Sequence, residues 1–302
     1  MVYTKSPLNI AQQIAQLKLR GLIIQDYQFA EHYLKFISYY RLAGYWWSMQ
    51  ADKSTHIFKP NSTFENVIAI YNFDRELRLL LFDVIEKIEI ALRTKIIYHL
   101  SYELNPWWFE QSNNFNNLDL YTKNLDSIDR ELKQSKEVFI TQHYLKYITD
   151  TRRPPAWKTL EVVSFGTLSK LYTCLKSSIE SKDKIAAELG VANHSYLPSW
   201  LQCIALIRNI CAHHGRLWNK NLPGRPKLLH KPPHSWLSNV PKSSEHHMLY
   251  IHLCCLKYLL NVINPGNHFT QKLDDILNRY TNIDLNALGM NPIWKNEPLW
   301  RK

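Results

Sequence analysis

From Ser62 to about Glu103 the chain carries one hydrophobic period of three and four residues, marked by Leu77, Leu80, Leu81, Val84, Ile85, Ile88 and Leu92. That spacing stacks apolar side chains on one face of an α-helix. About 40 residues at the helical rise make a rod of roughly 60 Å, along which a bend is expected. Ser62 and Glu65 stand in S-x-x-E spacing, which predicts a capping box at the start of the rod. Asn105-Pro106 predicts its end. A chain built around such a rod has to cover it with other helices.

The rest of the sequence supplies them. Ser6-Pro7 predicts the opening of a first helix and Gly21 its close. A second helix is expected from about Asp26 through Trp47, and a charged one from about Asp119 to Thr149. Arg152-Arg153-Pro154-Pro155 is a break, after which a helix is predicted around Trp157, with Gly166 either ending it or permitting close packing before the next. A short helix over Lys182–Gly190 leads to one from Tyr196 to about His213. Later helices are expected over Ser244–Asn264, stopped by Pro265-Gly266, and over Thr270–Tyr280. Strand-like alternation is confined to short pieces near His56-Phe58. Only 8 glycines among 302 residues argue against a turn-rich β architecture and against Gly-rich phosphate loops. The predicted class is all-α: a helical bundle with additional N- and C-terminal helices. An N-terminal helical segment, 1–60, is expected to pack on a main domain, 61–302, that carries a basic loop at 215–242.

Lys plus Arg outnumber Asp plus Glu by 37 to 26, for a net charge of +11. Such a balance suggests a polyanionic partner. The N-terminal MVYTKSPLNI has no long apolar region of a signal peptide, and no apolar run approaches the ~18 residues of a membrane span. The five cysteines, Cys174, Cys203, Cys211, Cys254 and Cys255, lack a disulfide-framework spacing and read as reduced thiols. The expectation is a cytoplasmic protein with no membrane partner.

The basic charge concentrates in one place. Between Arg208 and Lys242 stand seven Lys or Arg (Arg208, Arg216, Lys220, Arg225, Lys227, Lys231 and Lys242) and no Asp or Glu. Trp218 and Trp236 interleave with them. Such a segment can track a phosphate backbone and stack bases. The plainer alternative is a solvated basic loop whose tryptophans pin it to the core.

The segment opens with RNICAHHGRLWN, Arg208 to Asn219. An arginine and a histidine at the end of a helix have the chemistry for metal-free RNA cleavage. Histidine can move the proton of a 2′-hydroxyl or of a leaving 5′-oxygen, and arginine can hold the phosphate. Five helical positions rotate 500°, so Arg208 and His213 converge only if the last turn frays or tightens. Composition alone predicts about 1.7 arginine–histidine pairs of this spacing class. The chain has four, including Arg93–His99 and Arg225–His230. Other readings stand beside the catalytic one. His213 could be a buried structural histidine at the helix C-terminus. Cys203, Cys211, His213 and His214 could bind zinc, although no Cys-x2-Cys pair is present. Asp74, Glu76, Glu86 and Glu89 could form a carboxylate site, or lie on a salt-bridged helix surface.

RNICAHHGRLWN closely resembles the signature of the Abi-like (AbiD/AbiF) family of bacterial abortive-infection proteins. YYRLAGYW (39–46), YNFDRELR (71–78), IEIALR (88–93) and WKTLEVVSFGTLSKLY (157–172) resemble further blocks of the same family, in the same order. The resemblance implies a HEPN-like helical bundle, a phage-defence role and, in many relatives, metal-independent endoribonuclease activity without a cofactor. It implies that Arg208 binds phosphate and His213 transfers the proton, that Asn209, His214 and Arg216 support the site, and that a homodimer brings two motifs together. Trp218, Lys220, Arg225, Lys227 and Lys231 would contact RNA, as substrate or as a structured non-coding partner. The alternative is a non-catalytic RNA-binding module; a third reading is an interaction protein that senses a phage component.

Overall fold

The structure, a computed structural model, describes residues 2, 4 and 6–301; Met1, Tyr3, Lys5 and Lys302 lie outside it. Among the described residues there are twelve α-helices and no sheet. They are α1 (Ile10–Leu19), α2 (Tyr27–Ile37), α3 (Tyr39–Trp46), α4 (Phe64–Glu103), α5 (Leu118–Gln134), α6 (Val138–Lys146), α7 (Ala156–Val162), α8 (Phe165–Cys174), α9 (Ser181–Glu188), α10 (Leu197–Ala212), α11 (Leu249–Ile263) and α12 (Phe269–Arg279). The protein is all-α, as the periodicity predicts. The strand-like piece near His56-Phe58 is one isolated bridge between Gln50 and Phe58.

Helix α4 is unbroken over 40 residues and serves as the axle of the fold. Helices α3, α7, α9, α10, α11 and α12 all pack on it. Its core stripe, Val67, Phe73, Leu77, Leu81, Ile85, Ile88, Leu92 and Ile96, is almost fully buried. Each such side chain contributes about 1.5–3 kcal/mol of transfer free energy. The cap differs from the predicted box by one residue. Thr63 is the N-cap and its hydroxyl accepts from the Asn66 N–H at 3.1 Å. Ser62 instead donates to the Met49 carbonyl at 3.4 Å, and the Glu65 carboxylate makes no reciprocal bond.

Other boundaries also differ. α1 starts at a capping box formed by Asn9 and Gln12, not at Ser6-Pro7. Gly21 closes it as expected, at φ +90° in the left-handed region, while the Leu22 N–H reaches back to the Leu17 carbonyl. The helix predicted from Asp26 to Trp47 is two helices, broken at Ser38 (φ 72°, ψ 149°), whose hydroxyl caps α3. The charged helix likewise splits at Ser135–Glu137 into α5 and α6. Gly166 ends nothing: Ser164 caps α8 and Gly166 sits in its first turn.

Helix α10 carries Pro198 in its first turn, where a missing N–H costs nothing. Leu201, Ile204, Ala205, Ile207 and Cys211 bury its inner face, and α10 packs against α8 and α4. The segment 215–242 after it contains no helix. Among the described residues no helix is long and apolar enough to cross a membrane.

Candidate functional site

The end of α10 is a Schellman turn. The His214 N–H bonds the Cys211 carbonyl at 3.1 Å and the Gly215 N–H bonds the Ile210 carbonyl at 2.8 Å. The left-handed position, which is glycine at the end of α1, is here His214 itself, at φ 55°. A side chain in that conformation costs roughly 1–2 kcal/mol. Gly215 has a different duty. A Cβ there would come within 3.2 Å of the Ile210 side chain and 3.3 Å of its carbonyl, so the glycine permits the close approach.

Two distant helices, α3 and α4, hold this strained turn, together with Arg216 just after it. Arg41 of α3 donates to the His214 carbonyl at 2.9 Å. Gly44, one turn further along α3, leaves room for the Arg216 side chain, whose Nε would be 3.2 Å from a Cβ there. Arg216 in turn donates to the carbonyls of Trp218 (2.8 Å) and Asn219 (3.0 Å). Asp74 of α4 is the third holder. Its carboxylate accepts from the Leu217 N–H (3.1 Å), the Trp218 N–H (2.7 Å) and the Tyr45 hydroxyl (2.7 Å), and pairs with Arg78. Burial pushes its carboxyl up, and Arg78, Tyr45 and the two backbone N–H groups pull it down. All of those partners are donors, so an ionised, acceptor-only carboxylate is the form that satisfies them. Asp74 is therefore no member of a salt-bridged surface. Its register with Ile70, Leu77 and Leu81 was the available signal that it faces the core.

Arg208 lines a groove of about 390 Å³ with Phe82, Ile85, Glu86, Glu89, Ile90, Arg93 and Glu161. Its Nε lies 3.8 Å from a Glu89 oxygen, and its guanidinium donates to the Asn209 side chain at 3.4 Å. Glu89 also holds Arg93 at 2.9 Å. His213 is exposed, and its ring makes no hydrogen bond among the described residues. It is not a buried structural histidine. Nor does the last turn fray to bring it to Arg208. α10 stays α-helical to Ala212 and His213 keeps φ −94° and ψ 15°. The rotation of an ideal helix over five positions would set the two side chains about 140° apart.

The basic segment divides in two. Trp218 and Trp236 are core residues, 4% and 6% exposed, so neither offers a ring face to a base. The expectation that Trp218 stacks on RNA fails for that reason; its indole pins the loop. Arg216 is engaged by backbone carbonyls. Lys227 donates to the Ser195 hydroxyl at 2.8 Å and lies over the Tyr196 ring. Lys220, Arg225 and Lys231 make no side-chain hydrogen bond or ion pair among the described residues, and Arg225 and Lys231 are exposed. They are available cations.

The zinc alternative is not assembled. Cys203 and Cys211 are buried, with thiols pushed up to about 12 by burial, and no group of three candidate ligands forms among the described residues. Of the α4 carboxylates, Asp74 and Glu76 lie elsewhere, whereas Glu86 and Glu89 share the groove of Arg93 and Arg208. Glu76 bonds Arg279 and Tyr280, and Glu89 bonds the two arginines.

Four of the segments quoted above thus meet at the end of α10, and a fifth is tied to them through Arg93, which bonds the Leu160 and Val163 carbonyls at the end of α7. No curated protein and no solved structure matches the chain. The family model for Abi-like protein matches residues 32–219, more than half of the chain and a span that includes Arg41, Gly44, Asp74 and Arg216 around the motif turn. The chain belongs to the Abi-like protein family.

Proposed function

We propose that this protein is a metal-independent endoribonuclease of the HEPN type, working as a homodimer, in which Arg208 binds the scissile phosphate and His213 transfers protons. Membership of the Abi-like family supports a role in abortive infection, and so in phage defence. The observation that carries the catalytic reading is the exposed, unbonded imidazole of His213 on a turn that Arg41, Asp74 and Arg216 hold firmly. A proton-transfer group needs both access and a fixed position. The roughly 140° of ideal-helix rotation between the two positions supports the dimer, because a second chain can present the partner side chain that one helix turns away. Asn209 then orients Arg208, and His214 and Arg216 shape the turn. Lys220, Arg225, Lys227 and Lys231 line the path of the RNA. The division into an N-terminal segment, 1–60, and a HEPN-like domain, 61–302, is part of the same proposal.

In the reaction His213 takes the 2′-hydroxyl proton, the 2′-oxygen attacks phosphorus and the 5′-oxygen leaves with a proton from the second His213. Two products form: a 2′,3′-cyclic phosphate end and a 5′-hydroxyl end. Arg208 steadies the charge on the phosphorane. Purified protein incubated with labelled total RNA in EDTA is expected to release fragments with those ends. Salt-sensitive RNA binding without fragments would favour the second reading, a non-catalytic RNA-binding module, possibly complexed with a structured RNA. The observation on that side is the Glu89 carboxylate 3.8 Å from Arg208, which the phosphate ligand already faces in the free protein.

A further inference from the structure

The candidate site has open cations, yet both tryptophans of its own segment are buried. Single-stranded RNA is usually gripped by cations together with aromatic rings. The ring that fits stands on another helix. Tyr40, in the first turn of α3, is 80% exposed, and its hydroxyl makes no hydrogen bond among the described residues. Scattered exposed apolar residues need no explanation, so exposure alone says little. Its position says more. At 100° per residue, Gly44 lies about 40° round the helix from Tyr40, and Arg41 about 100°. Gly44 touches Arg216 and Arg41 bonds the His214 carbonyl. Both neighbours of Tyr40 on that arc therefore rest on the motif turn, and Tyr40 stands at its edge.

Arg41 strengthens the case. It pairs with no carboxylate among the described residues, and one contact to the His214 carbonyl leaves most of its five donors open. An exposed ring followed by a guanidinium with open donors presents a face for a base and donors for the adjoining phosphate.

We propose that Tyr40 and Arg41 form a nucleotide subsite beside the Arg208–His213 motif, in which Tyr40 stacks a base of single-stranded RNA and Arg41 meets the next phosphate. The subsite rests on the RNA reading above, and the test separates the two. Fluorescence anisotropy of a labelled ten-nucleotide RNA of mixed sequence would be followed in EDTA, with His213→Ala as the parent so that no turnover intervenes. Tyr40→Ala is expected to raise Kd about 5- to 100-fold. Tyr40→Trp is expected to hold or lower it, and the dependence on salt should be the same for all three, since no cation is removed. Unchanged melting temperatures would show that the fold is intact. A Tyr40→Ala variant that binds like its parent overturns the subsite and leaves the RNA reading standing. A parent that binds no RNA overturns both, and points to a protein partner for this surface.

Discussion

Of the chain's four arginine–histidine pairs of this spacing class, Arg93–His99 on α4 and Arg208–His213 at the end of α10 are treated oppositely by the fold. Arg93 is 7% exposed, wired to the Leu160 and Val163 carbonyls and to Glu89. His99 is largely buried and lies 3.1 Å from Glu188 of α9. Arg208 lines an open groove with one loose carboxylate contact, and His213 is solvated. The motif as a string is nearly worthless for choosing between them. Partners and access decide, because a buried guanidinium with three of its five donors taken by two carbonyls and a carboxylate has little left to offer a phosphate, and a histidine buried beside a carboxylate within the fold has no open path to a substrate proton.

The contrast can be broken most forcefully through the support of the motif turn. Asp74→Ala would leave Arg78 buried without its partner and two backbone N–H groups unsatisfied, for an expected loss of about 3–5 kcal/mol. Urea unfolding would show it, and amide exchange at Leu217 and Trp218 should accelerate. If stability and exchange stayed at wild-type levels, the turn would not depend on Asp74. Next comes Arg93→Ala, expected to cost about 2–4 kcal/mol by stranding two buried carbonyls and Glu89. Arg208→Ala should cost under about 0.5 kcal/mol, since it gives up one partly exposed contact. Equal melting temperatures for the two variants would erase the difference between a structural and a functional arginine.

A smaller effect concerns pH. Burial, with Lys158 nearby, holds the His143 imidazole below its usual value, and its Nδ1 has no partner. An imidazole depressed in the folded state binds its proton more readily in the unfolded chain. Its contribution to stability is therefore present above about pH 6.5 and falls as the pH drops below that. His143→Phe should flatten that part of the acid limb; an unchanged limb would mean that His143 is accessible in the native state.

Much of this architecture is legible in the sequence, and the misses have physical causes. The α4 period is readable because an axle buried along its whole length has to repeat every three or four residues. Its cap is not, since Ser62 and Thr63 are both good caps and only backbone geometry selects Thr63. The breaks at Ser38 and Ser135 are hidden because no glycine or proline marks them and serine is tolerated in a helix. The end of α10 is legible to within a residue, but not that His214 takes the left-handed position. Which rings face water is the feature least visible in the sequence. A tryptophan among lysines writes the same string whether it stacks a base or anchors the loop, and Trp218 anchors it. Tyr40 carries no signal at all until α3 is placed against the motif turn.

The most direct test sets the two histidines against each other in one assay. Wild type, His213→Ala and His99→Ala are incubated with labelled RNA in EDTA, after confirming that each is folded. Wild type and His99→Ala are expected to release 2′,3′-cyclic phosphate fragments, and His213→Ala to lose roughly 10²- to 10⁴-fold in rate. Undiminished cleavage by His213→Ala, or loss confined to a folded His99→Ala, would contradict the role proposed for His213.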